Sequence, residues 1–480
     1  MIRSNPLRLL ASASSLLALC SMSAAARAQA TPLSEAIVIG SWTFRPSLEV
    51  RVRGEYRQHP VDTGGALYTT TAVLGESYGS TQPGVREVSL ARADQFYVSE
   101  RSRLGLAVDR GPVTGVLTLQ DARLLGNTSS LFTGAGQPAL PSFAPYEAYV
   151  DVHTRAGRRV FLRIGRQRVV WGDGRLVGAN DWSLTGRSLD AARFGVQLGD
   201  VDLEAMAVLL AAPGNAPPIA AGTQQTALGT GSQLYGLDAK WHILPLLQVE
   251  VAGLARIARE PAPSSLVPGD TYVIDGRISG DHRGFRYAVE GAYELGRVAS
   301  YGVLRDQRAL ALAARLGLET ALPWHLTFGA EVAYATGDNG DPTGTQKRFD
   351  PILPDEHANL GPMSLFAWSN VLTAGASISI KPLDELQMTA GYRFANLADA
   401  KGRWTTAQLI PVGASTSNTS SALGHEIDYA LKLTPWKPID FEAGYGLFLF
   451  GDGAEAILTE AGRPAQLQHW GYLQTTIHAP

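Results

Sequence analysis

Cysteine is almost missing from this sequence. Cys20 is the only one in 480 residues, so no disulfide forms within the chain. Lysine is scarce as well: six (240, 347, 381, 401, 432 and 437) stand against 35 arginines. After the apolar stretch Leu9 to Leu19 no segment offers 18 uncharged apolar residues, which excludes a membrane-spanning helix in the body of the chain. The usual enzymatic signatures are absent too. There is no H-E-x-x-H, no C-x-x-C and no phosphate-binding glycine loop followed by lysine. Gly75-Glu76-Ser77-Tyr78-Gly79 matches a nucleophile elbow, but it sits in a Gly/Ser/Thr-rich stretch with no helix after it. The nine histidines are scattered, with His282, His325 and His357 at turn or rim positions. These absences point away from an enzyme, and the reading requires no cofactor, no metal and no nucleic-acid partner.

What is present begins with a secretory signal over 1–30. Arg3 and Arg8 make a basic start, Leu9 to Leu19 a short apolar core, and Ala28-Gln29-Ala30 a small-x-small cleavage site. A lipoprotein anchor on Cys20 is the alternative, although Leu19 stands where a small residue is wanted. Cleavage before Thr31 leaves 450 residues, and loss of three arginines and no acid takes the formal charge from −3 to −6. A periplasmic segment is expected over 31–47 and a single barrel domain over 48–480.

Alternation with period 2 recurs through the mature chain. Leu48, Val50, Val52, Gly54 and Tyr56 face one way, and Glu49, Arg51, Arg53, Glu55 and Arg57 the other. About eighteen such strands are counted, among them 48–58, 95–109, 159–169, 190–199, 324–335, 365–380 and 469–478. Short connections such as Arg110-Gly111-Pro112, Gly199-Asp200 and Lys381-Pro382-Leu383 alternate with long ones near 59–94, 170–189, 336–364 and 397–424. Strand, tight turn, strand, long loop is the pattern of a transmembrane antiparallel β-barrel, all-β, with short periplasmic turns and long extracellular loops. Lipid offers no hydrogen bonds, so a sheet that crosses it closes on itself. Trp241, Tyr272, Trp324, Tyr392, Trp436 and Tyr445 fall near predicted strand ends, where an interfacial girdle belongs. The ending Ile477-His478-Ala479-Pro480 lacks the terminal aromatic of many such barrels. Either assembly tolerates this, or two or three residues trail past the last strand.

With the apolar faces outward, a set of charges points into the lumen. The early strands carry Arg51, Arg53, Arg57, Arg101, Arg103, Arg163 and Arg193, and the later ones Arg256, Arg277, Arg315, Arg393 and Lys432. The acids Glu250, Asp275, Glu290, Glu294, Glu331 and Asp428 cluster late, though Glu49, Glu55 and Asp151 are early. Excess guanidinium makes a constriction that favours anions. The other reading pairs these arginines with acids that brace the wall. The preference for arginine over lysine suits bidentate binding of carboxylate, or simply a GC-rich genome. Thr336 to Asp341 resembles a calcium loop without its bidentate acid, or is a solvated loop.

The stretch from Val160 to Phe194 is the most distinctive. It holds Gly165-Arg166-Gln167, Gly172-Asp173, Arg175-Leu176, Gly178, Asp181-Trp182, Gly186-Arg187-Ser188 and Asp190. In these residues the chain resembles the alginate export family of outer-membrane barrels. Similar stretches follow at Gly337-Asp338 with Phe349-Asp350-Pro351, at Gly424 to Asp428, and at Tyr472-Leu473-Gln474. The resemblance implies an eighteen-stranded monomeric barrel, in the outer membrane of a Gram-negative bacterium; a passive channel draws its energy from synthesis or inner-membrane partners, so periplasmic export partners are expected. It also implies a basic constriction passing an acidic exopolysaccharide outward, mapped here to Arg163, Arg166, Arg168, Arg175 and Arg193. Arg166 falls on the apolar parity of its strand, so it contributes only at a rim or a bulge. With Arg51, Arg53, Arg101 and Arg103 these form the expected pore lining. An uptake porin for small anions or oligosaccharides has the same wall chemistry and remains the alternative.

Overall fold

The computed structural model describes residues 36–58, 60–61, 94–125, 144–154, 160–211, 232–258, 269–300, 303–339, 344–461 and 465–479. The signal segment, the 75–79 motif and nearly all of the 59–94 connection lie outside them.

Eighteen antiparallel strands form one closed barrel. They are β1 (Trp42–Gln58), β2 (Gln95–Arg110), β3 (Val113–Leu124), β4 (Ala144–His153), β5 (Val160–Gln167) and β6 (Leu189–Leu198). Next come β7 (Val201–Ala211), β8 (Ser232–Leu244), β9 (Leu247–Ala258), β10 (Gly269–His282), β11 (Phe285–Ser300) and β12 (Val303–Glu319). The circuit ends with β13 (Thr327–Ala335), β14 (Val371–Leu383), β15 (Leu386–Asn396), β16 (Ala422–Trp436), β17 (Ile439–Phe450) and β18 (Gln468–Ala479). Each strand pairs with its neighbours in sequence, and β1 pairs with β18 from Leu48 opposite Ala479 to Gln58 opposite His469. Closure leaves no open sheet edge, as a lipid-embedded sheet requires.

The alternation sets which way each side chain points. On β1, Arg51, Arg53, Glu55 and Arg57 are buried inward, while Val52 and Tyr56 are exposed outward. The outer surface is apolar on every side, with Leu106, Ile164, Leu237, Ile274, Leu316 and Leu473 exposed. Trp241, Trp324 and Trp436 stand out near the short turns, and Tyr272, Tyr392 and Tyr445 lie toward the long-loop end. That is the belt expected of interfacial aromatics.

Several strand boundaries differ from the sequence reading, among them the start of β12 at Val303 and of β13 at Thr327, and the two largest differences are at β1 and β14. β1 starts at Trp42, not at 48. β14 starts at Val371, and residues 365–370, expected as strand, belong to the preceding loop. Leu365, Phe366 and Trp368 are buried there because they pack inside the barrel, so their apolar run carries no strand periodicity. At the other end β18 runs to Ala479, so the chain does not trail past its last strand by two or three residues.

The apolar core lies in the lumen. The connection 168–188 after β5 (the crossing loop), the connection 336–370 after β13 (the partner loop), and 397–421 after β15 all carry buried residues. A short helix, α1 (Asp452–Glu460), buries Ala454, Ile457 and Leu458. Val177, Phe349, Ile352, Met363, Trp368, Trp404 and Phe448 belong to one continuous cluster. The wall makes room for it. Ala252, Ala292, Ala311, Ala313, Ala333 and Ala335 are buried on the inner faces of β9 to β13. Larger side chains at these positions would occupy the space of the loops.

Candidate functional site

The crossing loop spans the lumen from one wall to the other. Its start docks against the acid-rich later strands. Asp173 pairs with Arg277 of β10 at 2.7 Å and Arg315 of β12 at 3.7 Å. Arg175 donates to Glu331 of β13 at 2.5 Å and lies 3.7 Å from Glu290 of β11. Glu331 also accepts from Arg315 at 2.9 Å and from Arg393 of β15 at 2.5 Å, so three guanidiniums meet at one carboxylate. Burial works against the charge of Asp173, but Arg277, Arg315 and Arg175 outweigh it and hold its carboxyl below the usual range.

The end of the loop docks on the opposite, arginine-rich wall of β1 and β2. Arg51 donates to the carbonyls of Asp181 (2.8 Å) and Ser183 (2.6 Å). Arg53 donates to the carbonyl of Trp182 at 2.9 Å and lies over its ring at 4.2 Å. Arg101 reaches the Asp181 carbonyl at 2.9 Å while Glu49 holds its far side at 2.6 Å. Arg103 donates to the Asp181 carboxylate at 2.8 Å and lies 3.7 Å over the Tyr146 ring. Four guanidiniums therefore grip a strip of three carbonyls and one carboxylate. Arg101, 2% exposed, has no free face. Burial again opposes the Asp181 charge, and Arg101, Arg103 and Arg168 overcome it, keeping the carboxyl far below its ordinary value.

Between the two anchorages the crossing loop lies on the partner loop. Leu353 N–H donates to Leu176 O, and Gly178 N–H to Leu353 O, both at 2.8 Å, and Val177 and Leu353 form a parallel bridge. Gly178 fits because a Cβ there would lie 2.8 Å from both the backbone nitrogen and the Cβ of Asp355. Arg187 closes the junction by donating to Gly178 O, Leu353 O and Pro354 O. The Trp182 ring stacks on His357 at 3.7 Å and meets Tyr472 edge-on at 4.9 Å. Trp182 is thus held between Arg53 and His357.

Burial, then the Arg53 guanidinium, push His357 down to about 3. The neutral ring is the form that stacks, so its stabilisation is whole above the unfolded value near 6.5 and is lost as pH falls toward 3. The contribution of Asp181, whose carboxyl is depressed from its ordinary range, is whole above about pH 4 and is lost only as pH falls below that. The folded ring is still neutral at pH 5, so acidification from pH 5 to 3 should loosen the Trp182 stack before the arginine grip. The difference in tryptophan fluorescence between the unaltered chain and Trp182→Phe should shift in that range, and His357→Phe should flatten it. An unshifted difference would show that the imidazole plays no part.

The nine arginines expected at the pore divide into distinct places. Arg51, Arg53, Arg101 and Arg103 converge, but on the crossing loop and not on an open lumen. Arg175 sits at the far wall. Arg168 follows β5, and its charge acts on Asp181. Arg163 and Arg193 lie toward the short-turn end, each held by an acid: Asp151 at 2.6 Å and Glu204 at 2.6 Å. Arg166 points outward and pairs with Asp190 at 3.2 Å, so it is not a pore residue. Strand parity gave this orientation, and Gly165, at φ +126°, does not reverse it. Asp338, the centre of the calcium-like stretch, is buried and accepts from Arg305 at 3.2 Å and Lys347 N–H at 3.0 Å. Among the described residues no group of carboxylates or histidines is placed to hold a metal.

Sequence reasoning missed the partner loop and the Glu331 hub. The signal for the first was an apolar content, Phe349 to Trp368, that a solvated loop does not need. For the hub, strand parity turned Glu331, Arg315 and Arg393 inward, but their meeting with Arg175 depends on three strands and a loop converging.

The sequence profile described as alginate export matches residues 86–213 and 261–463. No curated protein sequence matches the chain. Among solved structures, OccK9 (OpdG) of Pseudomonas aeruginosa is similar at 11% identity and a TM-score of 0.57, covering 91% of this chain and 98% of that one. OccK11 (OpdR) of the same organism gives 12% identity and 0.54, covering 91% and 96%. OccK2 (OpdF), also from P. aeruginosa and solved in complex with glucuronate, gives 9% and 0.52, covering 91% and 96%. Likeness at such identity speaks for the shape of the barrel alone. With the profile across most of its length and a closed eighteen-stranded barrel around charged walls, the chain belongs to the alginate export family and is an outer-membrane β-barrel channel of the Gram-negative type.

Proposed function

We propose that the barrel passes a carboxylate-bearing polysaccharide, alginate-like, out of the periplasm, working as a monomer with periplasmic export partners. The observation that carries this reading is the grip of Arg51, Arg53, Arg101 and Arg103 on the 181–183 strip. That strip offers what a uronate chain offers, oxygen acceptors at intervals and a carboxylate among them. The crossing loop is then an internal stand-in for cargo. A polymer that brings its own carboxylates competes for the same guanidiniums, and many weak exchanges let it slide. The glucuronate complex of OccK2 supports the fit of a uronate to a barrel of this shape. The loops that fill the lumen favour a second reading, uptake of small anions or oligosaccharides, because they narrow any passage.

Planar-bilayer recording of the refolded chain separates the two. Export predicts an anion-favouring reversal potential and block by polyuronate. Replacing Arg51 and Arg101 together by Gln should weaken that block about tenfold, the scale of one or two lost charge-assisted bonds. Anion current without polymer block would favour the uptake reading. No current from protein shown to be folded would sink both.

A further inference from the structure

Two arginines stand on the lipid side of the wall, near the long-loop ends of β11 and β12. Arg297 of β11 is opposite Asp306 of β12, and Leu295 is opposite Arg308, so the two arginines are diagonal neighbours about 7–8 Å apart on one face. That face is the outer one. Gln307, between Asp306 and Arg308, is buried inward, while Leu304 and Leu310, which share the parity of Arg308, are exposed. Arg297 pairs with Asp306 at 3.3 Å, and Asp270 of β10 stands opposite it on its other side. Arg308 makes no side-chain ion pair among the described residues.

The partner loop adds a third cation. Arg308 N–H donates to Gln346 O at 2.9 Å, Gln346 N–H donates to Asp306 O at 2.8 Å, and Gln346 and Gln307 form a parallel bridge. Both glutamines are buried. The parity that turns Arg308 outward therefore turns Lys347 outward beside it, and Lys347 is exposed. Its place is fixed from within, where its N–H donates to the buried Asp338 at 3.0 Å and Arg305 holds the same carboxylate at 3.2 Å. Like Arg308, its side chain has no acid partner among the described residues. Arg308 lies about ten residues up β12 from Leu318, the length a tilted strand takes to cross the hydrocarbon layer. The two free cations thus stand at headgroup level, with Leu310, Leu312 and Leu316 exposed beneath them.

We infer that Arg308 and Lys347, with Arg297 at their side, hold the phosphate of a lipid headgroup in the outer leaflet, its acyl chains lying on the leucines below. The guanidinium fork takes two phosphate oxygens, and the ammonium adds a point charge. Clustered bases at a membrane surface recognise anionic headgroups in this way. The apolar strip under the cations selects a lipid over free phosphate, which has no chain to bury there. Because Lys347 belongs to the partner loop, the headgroup also ties the start of that loop to β12. The inference rests on the outer-membrane location and is independent of what the channel carries.

Bisphosphorylated lipid A is the probe, in native mass spectrometry of the full chain folded in detergent. One lipid should stay bound once the detergent is stripped. Replacing Arg308 and Lys347 together by Gln should raise its Kd about tenfold or more, the scale of two lost charge-assisted contacts. Arg166→Gln, elsewhere on the outer wall, should leave it unchanged. Lipid A without its phosphates should bind about as weakly to the unaltered chain as the probe does to the double variant. Folding is checked by the mobility of unboiled protein in gels, and if the double variant does not fold, Arg308→Glu takes its place with the same expectation. Equal affinity in the folded variant, equal affinity for the lipid without phosphates, or displacement of the probe by an equimolar amount of inorganic phosphate would overturn the assignment.

Discussion

A disulfide between Val177→Cys and Leu353→Cys should cut polyuronate passage by about tenfold or more, with full recovery on reduction. The two residues form a parallel bridge flanked by two backbone hydrogen bonds of 2.8 Å. Neighbouring residues across such a bridge have the separation a disulfide needs. The partner loop is fixed in the barrel by Phe349, Ile352, Met363 and Trp368, all buried, so the bond would tie the crossing loop to an immobile body. Cys20 is the only native cysteine, and it falls in the expected signal, so mispairing is not a concern. The measurement is single-channel recording with and without reductant, after mass spectrometry has established the bond. Unchanged passage through the cross-linked protein would mean that cargo does not displace the crossing loop, and the competition between loop and polymer would have to be abandoned.

The second large effect is expected at Glu331. Its carboxylate receives Arg175, Arg315 and Arg393 within 2.9 Å, and all four side chains are at most 9% exposed. Taking one partner out of a buried ion network strands the others, at a cost of about 3–5 kcal/mol. Glu331→Ala should therefore lower the thermal midpoint of gel mobility more than any single arginine replacement in the cluster. Because Arg175 belongs to the crossing loop, the same variant should flicker in bilayer recordings. Stability close to that of the unaltered chain would show that water readily replaces the carboxylate, and the far anchorage would be weak.

How much of this was legible beforehand follows from the physics of a strand. Alternation fixes which face a residue occupies, so the inward charges of β1 and β2 and the outward Arg166 were readable from parity. The chain places Arg51 and Arg53 two apart, and a sheet must present them on one side. What they touch was not readable. Their partners are mostly backbone carbonyls of Asp181, Trp182 and Ser183, and any sequence supplies carbonyls. The tight turns were marked by Gly, Pro and Asp. The inward folding of the partner loop was marked only by its apolar content, and apolar residues in a barrel protein are first assigned to the lipid face. Leu365 to Trp368 were misread as strand for that reason.

The Trp182 stack also has a meaning for how the molecule is put together. It joins Arg53 from the first strand, Trp182 and His357 from two distant loops, and Trp470 from the last strand, 6.2 Å from Trp182. Trp470 donates to Glu55 of β1 at 3.0 Å, across the seam where the two chain ends meet. The Trp470 contacts cannot exist in a partly inserted sheet, because they join β18 to β1 and to a loop on the far side of a seam that has not yet closed. The contacts of Trp470 with the loop that bars the lumen are thus a record that the circle is complete.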